Sequence, residues 1–179
     1  MEPLEIAEKL KKQFAKEIVD ISEFRGQVSV TVKRERILDI CHFLKVDPDL
    51  KMDYLADLCG VDYPERRFRF EVVYNLYSLT HRHQLRIKAL LPSDAPTIES
   101  VIWIWKGAGW HEREAYDMFG IIFNNHPDLR RILMPEEWEG HPLRKDYPLK
   151  GSETWEYQDY QDAKILHTSD DEWNIDSSS

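Results

Sequence analysis

Apolar residues recur every three or four positions at Leu4, Ala7, Leu10, Phe14 and Ile18. That spacing lines one face of an amphipathic helix, roughly residues 3–19, with Lys9, Lys11, Lys12 and Lys16 mostly on its wet side. Gly26 breaks the pattern, and the period then drops to two: Val28, Val30 and Val32 alternate with Ser29, Thr31 and Lys33, the mark of a half-buried strand. Helical spacing returns over 35–45 through Ile37, Leu38, Cys41 and Leu44, and Asp47-Pro48-Asp49 stops it. A strand over 54–64 ends in a turn at Asp62-Tyr63-Pro64. Two runs rich in aromatic and β-branched residues, Phe68 to Leu79 and His83 to Leu91, are joined by the polar link Thr80-His81-Arg82 and read as a hairpin. After a turn from Pro92 to Pro96, Thr97 to Trp105 reads as a helix, Gly107 and Gly109 interrupt it, and Trp110 to Phe119 reads as another.

This order predicts a mixed α/β (α+β) fold, a small mixed β-sheet covered by helices. The hairpin supplies antiparallel pairs and helical crossovers allow parallel ones. There are no internal repeats and no long linker.

Beyond Gly120 the pattern changes. Residues 124–150 contain Pro127, Pro135, Pro142 and Pro148, which block helix interiors and central strands. The same stretch carries Leu129, Ile132, Leu133, Met134, Trp138, Leu143, Tyr147 and Leu149. An extended arm cannot bury such groups within itself, so another surface must cover them, and their number favours a partner chain. The expected organisation is a domain over 1–123, an extended proline-rich arm over 124–150, and an acidic flexible tail over 151–179.

Charge sharpens that division. The net charge is −9, and residues 151–179 hold eight acids against one lysine, so nearly all of it sits at the end of the chain. An acidic chain without a basic stripe argues against nucleic acid as a partner. The most apolar run, Val101 to Trp105, is far short of a membrane span, and the N-terminus lacks a signal-peptide pattern. The chain reads as soluble, with any membrane association made through partners.

Candidate chemistry concentrates at Trp110-His111-Glu112-Arg113-Glu114-Ala115-Tyr116-Asp117-Met118-Phe119. On a helix Glu114 shares a face with Trp110 and Met118, which read as buried, and Arg113 can pair with Asp117 at i,i+4. A zinc site of HExxH type fails because position 115 is Ala115, and His81 and His83 lack a third ligand. Acid–base catalysis by Glu112 and Glu114 is weakened because i and i+2 point apart on a helix. The favoured reading is a structural ion network at an interface.

No phosphate-loop motif occurs, and Gly107-Ala108-Gly109 reads as a helix break. Cys41 and Cys59 read as two buried free thiols, too few for the usual four-thiolate cluster. Trp103, Trp105 and Trp110 read as core or interface residues. The residues themselves predict no catalytic, cofactor-binding or metal-binding set.

Glu112-Arg113-Glu114-x-x-Asp117-Met118-Phe119, followed at fixed spacing by His126, Arg130 and Ile132-Leu133, resembles the signature of the 30 kDa subunit family of proton-translocating NADH:quinone oxidoreductase (respiratory complex I). Asp62-Tyr63-Pro64, Gly120-Ile121 with Phe123, and Arg144-Lys145-Asp146-Tyr147-Pro148-Leu149 fit the same family, so the resemblance covers roughly 50–150.

The resemblance implies a cofactor-free, non-catalytic subunit of the hydrophilic arm, peripheral on the cytoplasmic side of the cell (inner) membrane. It implies direct packing on the quinone-site subunit, whose fold resembles the large subunit of nickel–iron hydrogenases, and contact with other hydrophilic-arm subunits. FMN, iron–sulfur clusters and quinone would then belong to the assembly. The proline-rich arm, through Trp138, Leu143, Arg144, Asp146 and Tyr147, would wrap the partner. The equivalent subunit of a related energy-converting membrane hydrogenase or dehydrogenase stays open as an alternative, as does an independent enzyme acting through His111, Glu112 and Glu114.

Overall fold

The computed structural model describes residues 1–148, so the acidic stretch expected to be flexible at 151–179, and Leu149 of the arm, lie outside the described residues. Helix α1 (Pro3–Gln13) starts on a proline, whose missing N–H costs nothing in a first turn. Glu5 reaches back to the Glu2 N–H at 2.9 Å to close a capping box. Strands β1 (Ile18–Phe24) and β2 (Gln27–Lys33) form a hairpin. A turn at Arg34–Arg36 leads into α2 (Ile37–Val46). Strands β3 (Tyr54–Asp62), β4 (Phe70–Tyr77) and β5 (Gln84–Leu91) follow. Next come β6 (Thr97–Glu99), α3 (Ala108–Phe119) and β7 (Ile122–Asn124).

The main sheet runs β1-β2-β5-β4-β3. Its only parallel pair among the described residues is β2–β5; β1–β2, β3–β4 and β4–β5 are antiparallel. The expected mixed sheet is therefore present. Strand alternation sends Val28, Val30 and Val32, Leu85, Ile87 and Ala89, and Val72, Tyr74 and Leu76 to one face. There they meet Ile6 and Leu10 of α1, Ile40 and Leu44 of α2, and Ala108 and Ala115 of α3 in one buried cluster. The opposite face carries a polar row: Arg86 links Gln27 and Asn75, and Asn75 reaches Asp57, across four strands. A second, two-stranded sheet pairs β6 with β7 in parallel, with α3 as the crossover.

The structure corrects several expectations. The first helix ends at Gln13, not near residue 19, and Ile18 opens β1. Phe14 and Ile18 continue the helical spacing because both touch the core, but the β-branched Ile18 and Ile21 pair with Val32 and Val30 of β2 through a two-residue turn, with the register shifting at Val19 between them. Arg25 (φ 52°) and Gly26 (φ 75°) both take the left-handed conformation that a tight hairpin of the strands' own twist requires.

Thr97 to Trp105 is not a helix. It is the short β6 followed by one turn in which the Ile104 and Trp105 N–H groups bond the Val101 carbonyl. Ile98, Val101 and Trp105 are buried at helix-like spacing, but a strand and a turn together produce it. Gly109 does not interrupt a helix either; it lies in the first turn of α3, where a Cβ would stand 2.7 Å from Cδ1 of Ile102. Cys41 is buried as expected, whereas Cys59 is exposed.

Candidate functional site

Helix α3 buries Ala108, Glu112, Ala115, Asp117 and Met118 and stops at Gly120, whose φ of 71° ends the helix in the left-handed conformation. Its two buried carboxylates point to different places. The exposed positions are Glu114 and Trp110, the latter 64% exposed, so the expected burial of Trp110 beside Glu114 is reversed. Met118 is buried as expected.

Glu112 faces inward. Its Oε1 accepts from the Val101 N–H at 2.7 Å and its Oε2 pairs with the Ser100 hydroxyl at 2.5 Å. These bonds hold the turn after β6 against α3. The His126 Nε2 lies 3.8 Å from Oε2 and bonds the Gly109 carbonyl at 3.2 Å, while its Nδ1 accepts from the Asp128 N–H at 3.0 Å. Nδ1 is thus an acceptor, which puts the ring proton on Nε2. Burial pushes the Glu112 carboxyl up to about 7, against the opposing pull of the Ser100 and Val101 bonds.

Asp117 faces the arm. Oδ1 accepts from Nη1 of Arg131 at 2.7 Å. Oδ2 accepts from the backbone N–H groups of Ile132, Leu133 and Met134 at 3.0, 2.8 and 2.9 Å. Burial alone would raise this carboxyl, but the three N–H groups and Arg131 outweigh it and hold it below the usual carboxylate value. The expected Arg113–Asp117 pair does not form. Arg113 instead donates to the carbonyls of Arg130 and Arg131 at 3.1 and 2.8 Å and sits over the Trp110 ring, 5.2 Å from its centroid.

A helix leaves its last four carbonyls without intrahelical donors. Gly120 bonds that of Tyr116. The arm supplies the others: Nδ1 of His141 to Asp117 at 2.9 Å, the Leu143 N–H to Met118 at 3.1 Å, and Nε of Arg144 to Phe119 at 2.6 Å. Arg131 also grips the arm on itself, donating to the carbonyls of Trp138 and Gly140 at 2.8 and 3.0 Å.

A third buried carboxylate, Asp62 at the end of β3, fastens the far part of the arm. Arg69 meets both of its oxygens at 2.7 and 2.9 Å, and the Lys145 N–H bonds it at 2.8 Å. Burial again works to raise Asp62, and Arg69 and Lys145 reverse the sign. Arg69 also reaches Asp146 at 2.8 Å.

The arm is thus pinned to its own domain, more than its apolar content suggested. Trp138 stacks on Tyr147 with centroids 6.4 Å apart, and the Tyr147 hydroxyl donates to the Glu139 carbonyl. Even so, Leu133 is 61% and Leu143 51% exposed. Arg130 lies outside with Asp128 at 3.0 Å, and Phe119 packs against Gly60, where a Cβ would come within 2.7 Å of its ring. Sequence reasoning missed Arg131, Arg69 and His141. Arg131 fills an unconstrained place in the signature, and no spacing rule links it to a helix fourteen residues earlier.

No group of three His, Cys, Asp or Glu among the described residues is placed to hold a metal ion. No helix among them is long and apolar enough to cross a membrane.

Residues 30–153 match a family profile described as respiratory-chain NADH dehydrogenase, 30 Kd subunit. Over 151 residues the chain is 52% identical to a Geobacter sulfurreducens protein named as the C subunit of NADH-quinone oxidoreductase, covering 84% of this chain and 92% of that one. A Roseiflexus sp. (strain RS-1) protein of the same name is 49% identical over 162 residues, 90% of this chain and 92% of its own. The fold is similar to the trypsin-resistant fragment (1–134) of Nqo5, with a TM-score of 0.61 at 30% identity, covering 72% of this chain and all of that fragment.

Proposed function

The chain belongs to the family of the 30 kDa subunit of respiratory-chain NADH dehydrogenase, and from that membership we propose that it is a cofactor-free scaffold subunit of the hydrophilic arm of a proton-translocating NADH:quinone oxidoreductase. In this reading residues 1–123 are the domain and 124–150 the arm that lies along the quinone-site subunit. FMN, the iron–sulfur clusters and the quinone site belong to other chains, and the protein is held at the cytoplasmic side of the membrane by its partners.

The observation that carries this reading is the state of the arm. Its backbone is tied to α3 and to β3 through Asp117 and Asp62, yet Leu133 and Leu143 are turned outward, and Trp110 of the same helix is exposed as well. Fixing a segment made of successive turns, as at 135–138, 141–144 and 144–147, costs conformational entropy. A segment fixed with its large apolar groups facing water is a surface prepared for another protein. Nothing in the Glu112 site speaks for turnover by this chain alone: its carboxylate is fully engaged by Ser100 and Val101 in a place without solvent access.

Affinity purification of the tagged native chain in gentle detergent, with mass spectrometry and an NADH:quinone assay of the eluate, tests the proposal. The quinone-site subunit, the flavin and cluster subunits and that activity are expected together. A hydrogenase-like set without NADH activity would transfer the scaffold role to a related complex. A lone chain would overturn it.

A further inference from the structure

The half-buried arginines of the described residues differ in what they hold. Arg69 takes the carboxylates of Asp62 and Asp146, and Arg131 takes Asp117. Arg86 has two side-chain acceptors and Arg113 two backbone carbonyls. Arg144 has one acceptor, the Phe119 carbonyl, which uses only Nε; it forms no ion pair among the described residues. Among the described residues its terminal N–H groups have no acceptor.

The position is built. The guanidinium lies over the Phe70 ring, 5.1 Å from the centroid, and Arg69 lies over the same ring at 5.0 Å. Nη2 fills the space beside Gly120 where a Cβ would stand. Leu143, beside it in the chain, is exposed. Burial, and then the like charge of Arg69, pull Arg144 below its ordinary value; Asp146 and Asp62 pull the other way without outweighing them, and both are ion-paired to Arg69 rather than to Arg144. Desolvating a guanidinium without its counter-charge is unfavourable, and its fork of donors matches a carboxylate. Arginine, unlike other charged residues, is enriched among the few side chains that carry most of the binding energy near the centre of a protein interface.

Resting on the scaffold reading above, we propose that Arg144 is the docking point for a carboxylate side chain, Asp or Glu, of the partner protein covering the arm, with Leu143 as its apolar neighbour. The partner carboxylate completes the charge pairing that Asp62 and Asp117 complete for Arg69 and Arg131.

The test uses the assembled complex. The amine introduced by Arg144→Lys keeps the charge and can form a zero-length amide with a carboxylate activated by a carbodiimide. Mass spectrometry of the cross-linked complex is expected to find position 144 joined to an Asp or Glu of another chain. An amide only to this chain's own carboxylates (Asp62, Asp146 or residues 151–179), or none while partners co-purify, overturns the proposal; none is also the result if a lipid or free phosphate fills the site. In parallel, Arg144→Gln is expected to weaken partner retention on the order of 30-fold, measured at a temperature and denaturant concentration where the isolated variant is fully folded, since the same change removes the bond to the Phe119 carbonyl. Unchanged retention overturns it. If even the native chain recovers no partner, the scaffold reading falls first and this proposal falls with it.

Discussion

Oδ1 of Asp117, in the last turn of α3, lies 2.7 Å from Nη1 of Arg131, and Oδ2 of the same carboxylate collects the next three backbone N–H groups of the arm. One buried charge therefore converts a proline-rich segment into a fixed shape. Removing it takes the counter-charge from Arg131 and the acceptor from three amides. Asp117→Ala is expected to cost about 3–5 kcal/mol, the range for breaking a buried pair. Arg113→Ala, which removes two bonds to exposed-side carbonyls, should cost about 1–3 kcal/mol. Urea unfolding of the two variants checks the order; equal losses would show that Asp117 is not the main anchor.

Acid should loosen the arm before it unfolds the core. Asp62 and Asp117 are both held below the usual value of 3.8 in the folded chain. Their contribution is present above that value and is lost as the pH falls through the lower folded values. Hydrogen exchange at the amides of Ile132, Leu133 and Met134 should therefore accelerate below about pH 4, ahead of the amides of β4 and β5. Uniform acceleration would contradict a local release.

Glu112 acts with the opposite sign. Its carboxyl rises from 4.5 to about 7 on folding. Both states are neutral well below 4.5, so its contribution to stability is highest there. It declines as the pH rises towards 7, where the folded group also ionises. At 1.36 kcal/mol per unit the full loss is about 3 kcal/mol. Glu112→Gln stays uncharged, so its stability relative to the native chain should improve by about that amount between pH 4 and pH 8. Paired denaturation curves at the two pH values measure it; a pH-independent difference would mean that the buried carboxyl does not titrate in this range.

Gly120→Ala tests the junction of helix and arm. The residue needs φ of 71°, and its added Cβ would meet Arg144 and His141. The left-handed conformation alone costs about 1–2 kcal/mol. Because both neighbours cap α3, exchange of the Leu143 amide should also quicken. A stability loss without that local effect would separate backbone strain from arm placement.

Much of the fold could be read from period alone. Val28, Val30 and Val32, the β4–β5 hairpin and α2 are present where the alternation and the helical spacing put them. The errors have a common cause. Ile18, and the set Ile98, Val101 and Trp105, touch the core at helical intervals without being helical, because strands and turns brought to one core satisfy the same one-dimensional pattern. Exposure was reversed at Trp110 and Cys59 for a related reason: period gives a face, and only packing decides which face turns inward.

By itself the sequence determined the elements with strong alternation, the family signature, and the contradiction of an apolar, proline-rich segment that cannot be a helix or a central strand. The tertiary structure decided which carboxylate does what. Glu112 went into the core and Asp117 to the arm, Arg131 rather than Arg113 became the partner of Asp117, and Arg144 came to rest on Phe70 with donors to spare. Ion pairing and burial depend on distances between residues far apart in the chain. No local spacing encodes those distances until the sheet and its covering helices have set them.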